Sequence, residues 1–177
     1  MMELGDCLFM TPAWSAAFLP GPDPFRDEYV LREAQVLDVR LNAVSGVVAC
    51  LFELRQSLYF EDANTGVLVV QDSSRLEWEG FDRLGQLTAW SVSTMETEIR
   101  PRSVELTVHT FPAPGGRLSI SAGSGFFLAG TVANLTDAPP DYTSHTAEGL
   151  IGRIAGWASP FEVATAAQIF PRGDSMR

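Results

Sequence analysis

Between Val36 and Thr131 apolar and polar residues alternate in short runs separated by turn residues. Leu37-Asp38-Val39-Arg40-Leu41, Leu76-Glu77-Trp78-Glu79 and Val104-Glu105-Leu106-Thr107-Val108 each have a period of two. That period predicts β-strands with one buried face and one face toward solvent or a partner. Two runs break the rule. Val47-Val48-Ala49-Cys50-Leu51-Phe52 and Val67-Leu68-Val69-Val70 are apolar throughout, as expected of central strands covered on both sides. Asp62-Ala63-Asn64-Thr65-Gly66 lies between them and predicts a hairpin turn, with Asn64 and Gly66 suited to positive φ.

Further turns are predicted at Gly80–Gly85, Arg100-Pro101-Arg102, Pro112–Gly116 and Gly123-Ser124-Gly125. Strands near 87–94, 103–111, 117–122 and 126–132 fit between them, and the strand opening at Val47 could reach Phe60 if it is bulged. The count of about eight short strands with tight connections predicts an all-β or β-dominated α+β fold, an antiparallel sandwich or partly open barrel. Residues 1–35 read as an arm. Pro20-Gly21-Pro22-Asp23-Pro24 must be a loop, and Phe25 to Gln35 could follow as a short helix capped by Asp23. Residues 36–132 form the β core. Residues 133–177 supply a proline-bent loop, one short helix over Thr146–Ala155 and a segment 161–170 that suits a strand slightly better than a helix.

Composition then narrows the chemistry. The chain has 177 residues, enough for one domain with a sizeable core, and 46% of them are hydrophobic. It carries 22 acidic against 12 basic residues, a net charge of −10. This balance disfavours nucleic acid and anionic membrane as partners and favours either plain solubility or attraction to a basic partner. All 12 basic residues are arginine. Without lysine there is no Schiff-base chemistry and no standard Walker-A or protein-kinase site. Two cysteines and two histidines cannot build a four-cysteine zinc or iron–sulfur site, so no metal or cofactor is expected. Cys7 and Cys50 could pair, but Cys50 sits in an apolar run and a buried free thiol fits better. No basic region precedes the apolar residues near the start, and no long apolar segment exists. The expectation is a soluble cytoplasmic protein.

Candidate chemistry is sparse. Asp137, Asp141, Tyr142, His145 and Glu148 follow the last sheet strand, spaced so that they could converge on a cation, a labile bond or a partner, or could simply be an acidic surface loop. His109 is predicted on an outward strand face near Glu105 and Glu53. Gly123-Ser124-Gly125 is neither a nucleophile elbow nor a phosphate loop, since a strand follows it. Trp78 and Trp90 read as core; Trp14 and Trp157 could clamp the flanking segments to the sheet or anchor a partner.

Several phrases resemble a family of uncharacterised bacterial proteins that carry a domain of unknown function. They are Val36 to Leu41, Leu51-Phe52-Glu53-Leu54-Arg55, Asn64 to Val70, Thr88-Ala89-Trp90 and Asp137 to Tyr142. The resemblance implies a shared fold over residues 36–170 and carries no information about activity. Members tend to carry a tyrosine and a Gly-Asp pair in the last sheet strand, where this chain has Phe127 and Ala129-Gly130. The residues alone thus point to a non-catalytic acidic domain that binds another protein, such as an immunity-type inhibitor or an accessory subunit. Its contact residues would be Glu53, Glu77, Glu79 and the 137–148 cluster. The competing expectation is a small-molecule binder, or a carboxylate-dependent enzyme, with its site near 137–148, His109 or Arg55.

Overall fold

The computed structural model describes residues 2–15, 17–80, 87–111 and 115–174. Its strands are β1 (Met2–Glu3), β2 (Leu19–Pro20), β3 (Gln35–Asn42), β4 (Val47–Glu53), β5 (Thr65–Gln71), β6 (Arg75–Glu79), β7 (Trp90–Ile99), β8 (Val104–Phe111), β9 (Gly116–Ala122), β10 (Ser124–Val132) and β11 (Pro160–Ile169). They form one open sheet in the order β1-β11-β10-β5-β4-β3-β7-β8-β9-β6, with β2 added beside β11. Every pairing is antiparallel except the short parallel contact of β2 with β11. The β-dominated antiparallel fold expected from the alternation is therefore present, with more strands than the pattern suggested.

Alternation explains how the sheet is covered. In β4, Val48, Cys50 and Phe52 enter one apolar cluster, while Val47, Ala49 and Leu51 enter another. β5 and β10 divide in the same way, with Leu68, Val70 and Phe127 on the first side and Val67, Val69 and Phe126 on the second. The first cluster also holds Leu106 and Val108 of β8 and Leu118 and Ile120 of β9. The half β7-β8-β9-β6 thus curls over β4 and β5, joined to the rest where Gln35 and Val36 pair with Ser91 and Trp90. The second cluster is closed by Leu4 and Cys7 from the arm and by Ala155 and Trp157 from the chain before β11. Arm, appendage and folded-over sheet all contribute cover.

Local chemistry sets the departures from expectation. The segment 25–34 makes successive turns and no helix. Its backbone is drawn to β7, with Met95 N donating to Glu28 O at 2.9 Å and Glu33 N to Val92 O at 3.0 Å, and Glu33 takes φ 68°. Asp23 does cap, accepting from Phe25 N at 2.9 Å. β4 stops at Glu53 rather than reaching Phe60. The positive φ falls on Gly46 and Asp72, not on Asn64 or Gly66, which enters β5. Over 146–155 a single 3-10 turn, Glu148–Leu150, replaces the helix. The ambiguous 161–170 segment is strand β11. Trp90 is buried, whereas Trp78 is 40% exposed against it, their rings 5.1 Å apart. The predicted turn at Gly80–Gly85 falls largely outside the described residues, as does part of that at Pro112–Gly116.

Two predictions follow from this packing. Between Ala129 and Gly130 the β10–β11 register slips by a residue, and a side chain at 130 would collide with the Glu162 carbonyl. Gly130→Ala should lower the unfolding free energy by about 2–3 kcal/mol, while Gly156→Ala, with open space around it, stays within about 0.5 kcal/mol of wild type in urea titration. Cys7 and Cys50 are free and buried. Burial pushes both thiols up from 9.0 to about 12, with the charges of Asp6 and Asp38 adding to the effect at Cys7 and Cys50 respectively. The folded state then holds protons that the unfolded chain releases near pH 9. Stability should fall as pH rises from about 9 toward 12, by up to about 1.4 kcal/mol per pH unit for each thiol. Cys50→Ala should flatten that slope in pH-dependent denaturation.

Candidate functional site

Beyond the end of β4 the chain places a strand-spaced carboxylate and guanidinium on the same side. Arg55 Nε donates to Glu53 Oε1 at 2.7 Å and its Nη2 to Oε2 at 2.5 Å. The two side chains are only 4% and 1% exposed. The remaining Arg55 protons go to carbonyls of the appendage. Nη1 donates to Thr136 O at 2.7 Å and Ala138 O at 2.9 Å, and Nη2 to Arg153 O at 2.9 Å. All five donors of the planar fork are engaged, which saturates it. Glu53 is consequently interior, and the expectation that it meets a partner is corrected: its neighbour in the sequence two residues on neutralises it inside the fold.

Tyr142 belongs to the same buried assembly. Its hydroxyl donates to Gln35 Oε1 at 2.9 Å, and Gln35 Nε2 donates to Gln56 Oε1 at 3.0 Å. Burial, then the charge of Glu53, raises its pKa well above the ordinary phenol value, so it stays a neutral donor. Trp157 clamps the connection between β10 and β11, residues 133–159, which straps the sheet from the other side; its Nε1 donates to Asp38 Oδ2 at 2.6 Å beneath the Arg40 guanidinium, 5.0 Å from the ring centroid.

The other members of the 137–148 cluster do not converge. Asp141 caps the 3-10 turn Tyr142–Ser144, accepting from Thr143 Oγ1 at 2.7 Å and Thr143 N at 3.0 Å, and these bonds lower its pKa. Asp137 and Glu148 are exposed and His145 is half-buried. Asp141, Tyr142, His145 and Glu148 line none of the five principal cavities. Among the described residues no group of three or more His, Cys, Asp or Glu side chains could hold a metal ion. Within the cluster Asp141 caps a turn and Tyr142 fastens the segment to Gln35, while Asp137 lines a separate cavity of about 410 Å³ together with Arg55, Glu61 and Asp62.

Glu77, Glu79 and His109 have a different fate. They stand on the outer face of β7-β8-β9-β6, where register sets three cross-strand rows. Glu98, Glu105, Ser121 and Arg75 form one; Glu96, Thr107, Ser119 and Glu77 the next; Thr94, His109, Arg117 and Glu79 the third. Arg75 pairs with Glu77 at 2.5 Å and Arg117 with Glu79 at 2.9 Å. His109 Nε2 lies 3.5 Å from Glu96 Oε1. Glu98 directly faces Glu105, a like-charge pairing that weakens a sheet. Ser121 Oγ donates to Glu105 at 2.7 Å and Arg100 to Glu98 at 3.1 Å, which offsets part of the repulsion.

The five glutamates of this face meet one histidine and three arginines, each cation spent on one carboxylate: Arg75 on Glu77, Arg100 on Glu98, Arg117 on Glu79 and His109 beside Glu96. Sequence reading found Glu77, Glu79, Glu105 and His109 from alternation within strands. Glu96, Glu98 and Arg117 were missed because their place depends on β7–β8–β9 register, including a bulge between Val92 and Thr94.

Concave sites lie elsewhere. A groove of about 760 Å³ runs between the end of β5, the turn before β8 and the β9–β10 turn. An apolar cleft of about 600 Å³ lies between Leu87 and the 147–160 segment. No helix among the described residues is long and apolar enough to cross a membrane. Comparison with family models, with curated proteins and with solved structures finds no match.

The buried pair yields a direct test. Arg55→Met strands the Glu53 carboxylate and three strap carbonyls, and should destabilise the fold by about 3–5 kcal/mol. Glu53→Met/Arg55→Met should recover at least about 1 kcal/mol of that loss in urea unfolding. Equal losses in the two variants would show that the charges are not coupled.

Proposed function

We propose that this chain is a non-catalytic protein-binding domain, of the immunity-inhibitor or accessory-subunit kind, whose outer β7-β8-β9-β6 face receives a basic partner. The observation that carries this reading is a sheet face bearing five glutamates, four of them exposed among the described residues and two of them opposed across β7 and β8. A solvent-facing sheet has no structural need of Glu98 opposite Glu105, and relief of that repulsion by a cation from outside would favour association. The net charge of −10 acts in the same direction by speeding encounter with a basic surface. The buried saturation of Arg55 and the dispersal of the 137–148 cluster weigh against a carboxylate-dependent enzyme built on those residues.

The test neutralises the face and leaves the core alone. Glu77→Gln/Glu96→Gln/Glu98→Gln/Glu105→Gln should fold at least as stably as wild type, because it removes repulsion. As bait in lysate of the native host, it should recover the partner about tenfold less well than wild type at low ionic strength. Wild-type recovery should fall as salt rises. Equal recovery by both baits, or a contact indifferent to salt, would rule out a charge-led interface on this face.

A further inference from the structure

The groove at the loop end of the fold has a separate origin and separate chemistry. Its walls come from distant parts of the chain: Thr11–Ala13, Gln71 and Asp72 after β5, Arg102 and Ser103 before β8, and Gly123 and Ser124 between β9 and β10. These walls are fastened to one another. Gln71 Nε2 donates to Met10 O at 2.5 Å, Gly123 N to Gln71 O at 2.8 Å, and Gln168 Nε2 to Pro12 O at 2.6 Å. Arg100 N donates to Ser103 O at 2.9 Å, and Arg172 N to Arg100 O at 3.3 Å. A concavity held in this way is formed before any ligand arrives.

Two opposite charges face this preformed space without using each other. Arg26, Arg40, Arg55, Arg75, Arg100 and Arg117 each pair with a carboxylate. Arg102 makes no ion pair or hydrogen bond with the described residues, and neither does Asp72. Asp72 adopts φ 53°, and a Cβ on Gly123 would lie 3.0 Å from the Asp72 Cβ and 3.1 Å from its Oδ2. Glycine at 123 therefore makes room for the carboxylate against the β9–β10 turn. Phe170, 46% exposed, stands with Pro171 and Ala122 as an apolar wall of the same groove.

We propose that this groove binds a small zwitterion, a free amino acid or dipeptide with an apolar side chain. The Arg102 fork takes the ligand carboxylate in the bidentate geometry that guanidinium favours. Asp72 takes the ammonium, the Ser124 hydroxyl is available to the polar backbone, and the side chain lies on Phe170. A simple anion would meet the charge of Asp72, and a simple amine that of Arg102, so the pair selects a ligand carrying both. The volume of about 760 Å³ accommodates a dipeptide as readily as one amino acid. The proposal goes beyond the protein-binding reading and shares no residue with the glutamate face.

Titration of the full ¹⁵N-labelled chain, followed by amide shifts, tests it. L-phenylalanine and alanyl-phenylalanine should shift the amides of Ser103, Gly123 and Ser124 saturably. Arg102→Gln and Asp72→Asn should each weaken that binding about tenfold or more. Asparagine tolerates the left-handed backbone at 72, so the second variant keeps the fold. N-acetyl-phenylalanine amide, which has the side chain without the charges, should fail to saturate. Absence of saturable shifts, equal binding by the neutral amide, equal binding by the variants, or stronger shifts with inorganic phosphate would each overturn the proposal. A Glu77→Gln/Glu96→Gln variant of the outer face, which leaves Glu105 on the Ser103 hydroxyl, should bind the zwitterions as wild type does, which separates failure here from failure of the protein-binding reading.

Discussion

Burial of β4 and β5 on both faces is the constraint from which the rest of the architecture follows. A strand sends alternate side chains to opposite sides, so an unbroken apolar run demands two separate cores. Val48, Cys50 and Phe52 need one cover; Val47, Ala49 and Leu51 need another. Each fully buried Val, Leu or Phe contributes roughly 1.5–3 kcal/mol, so leaving either side open would forfeit more than a domain's net stability. The first cover is the sheet itself, curled at the β3–β7 junction. The second has to come from outside the ladder, and the chain assembles it from both flanks, Leu4 and Cys7 with Ala155 and Trp157.

A cover made of loops and short turns brings a problem that a sheet does not. Its backbone carbonyls enter the interior without a ladder to receive them. Arg55 resolves this for the segment between β10 and β11, presenting its remaining donors to Thr136, Ala138 and Arg153 while Glu53 holds the guanidinium in place. A lysine could not substitute. Its ammonium has three donors and no fixed plane, whereas this site uses five directions at once. Tyr142 and Trp157 fasten the same strap at Gln35 and Asp38.

This division of labour shows which parts of the molecule were legible in the sequence. The strands of the ladder were, because period two and the continuous runs report burial directly, and so was the need for a second layer. The arm was misread between Phe25 and Gln35: Asp23 ahead of Pro24 resembled a helix start, and Asp23 does cap, but tertiary pairing with β7 captured the backbone that follows. The site was legible only in part. Glu77 and Glu79 belong to the face because their own strand shows it. Glu53 was misplaced because alternation cannot tell an outward carboxylate from one that meets Arg55 inside. Glu96 and Glu98 needed the register of β7 against β8, which bulges set and single-strand patterns do not encode.

The same constraint decides where charge is left to act. Both faces of the β10-β5-β4 centre are occupied, so a polar surface has no room there and the outside of the curled half supplies one instead. An acidic excess held for solubility alone would be dispersed over loops, where like charges can keep apart. Here carboxylates are fixed by register on neighbouring strands, and Glu98 faces Glu105 with only serine and arginine contacts to soften the repulsion. The fold spends stability at a place where it gains no packing in return. That pattern is expected of a surface shaped by what approaches it, and the sign of the charge is what the proposed cationic partner would require.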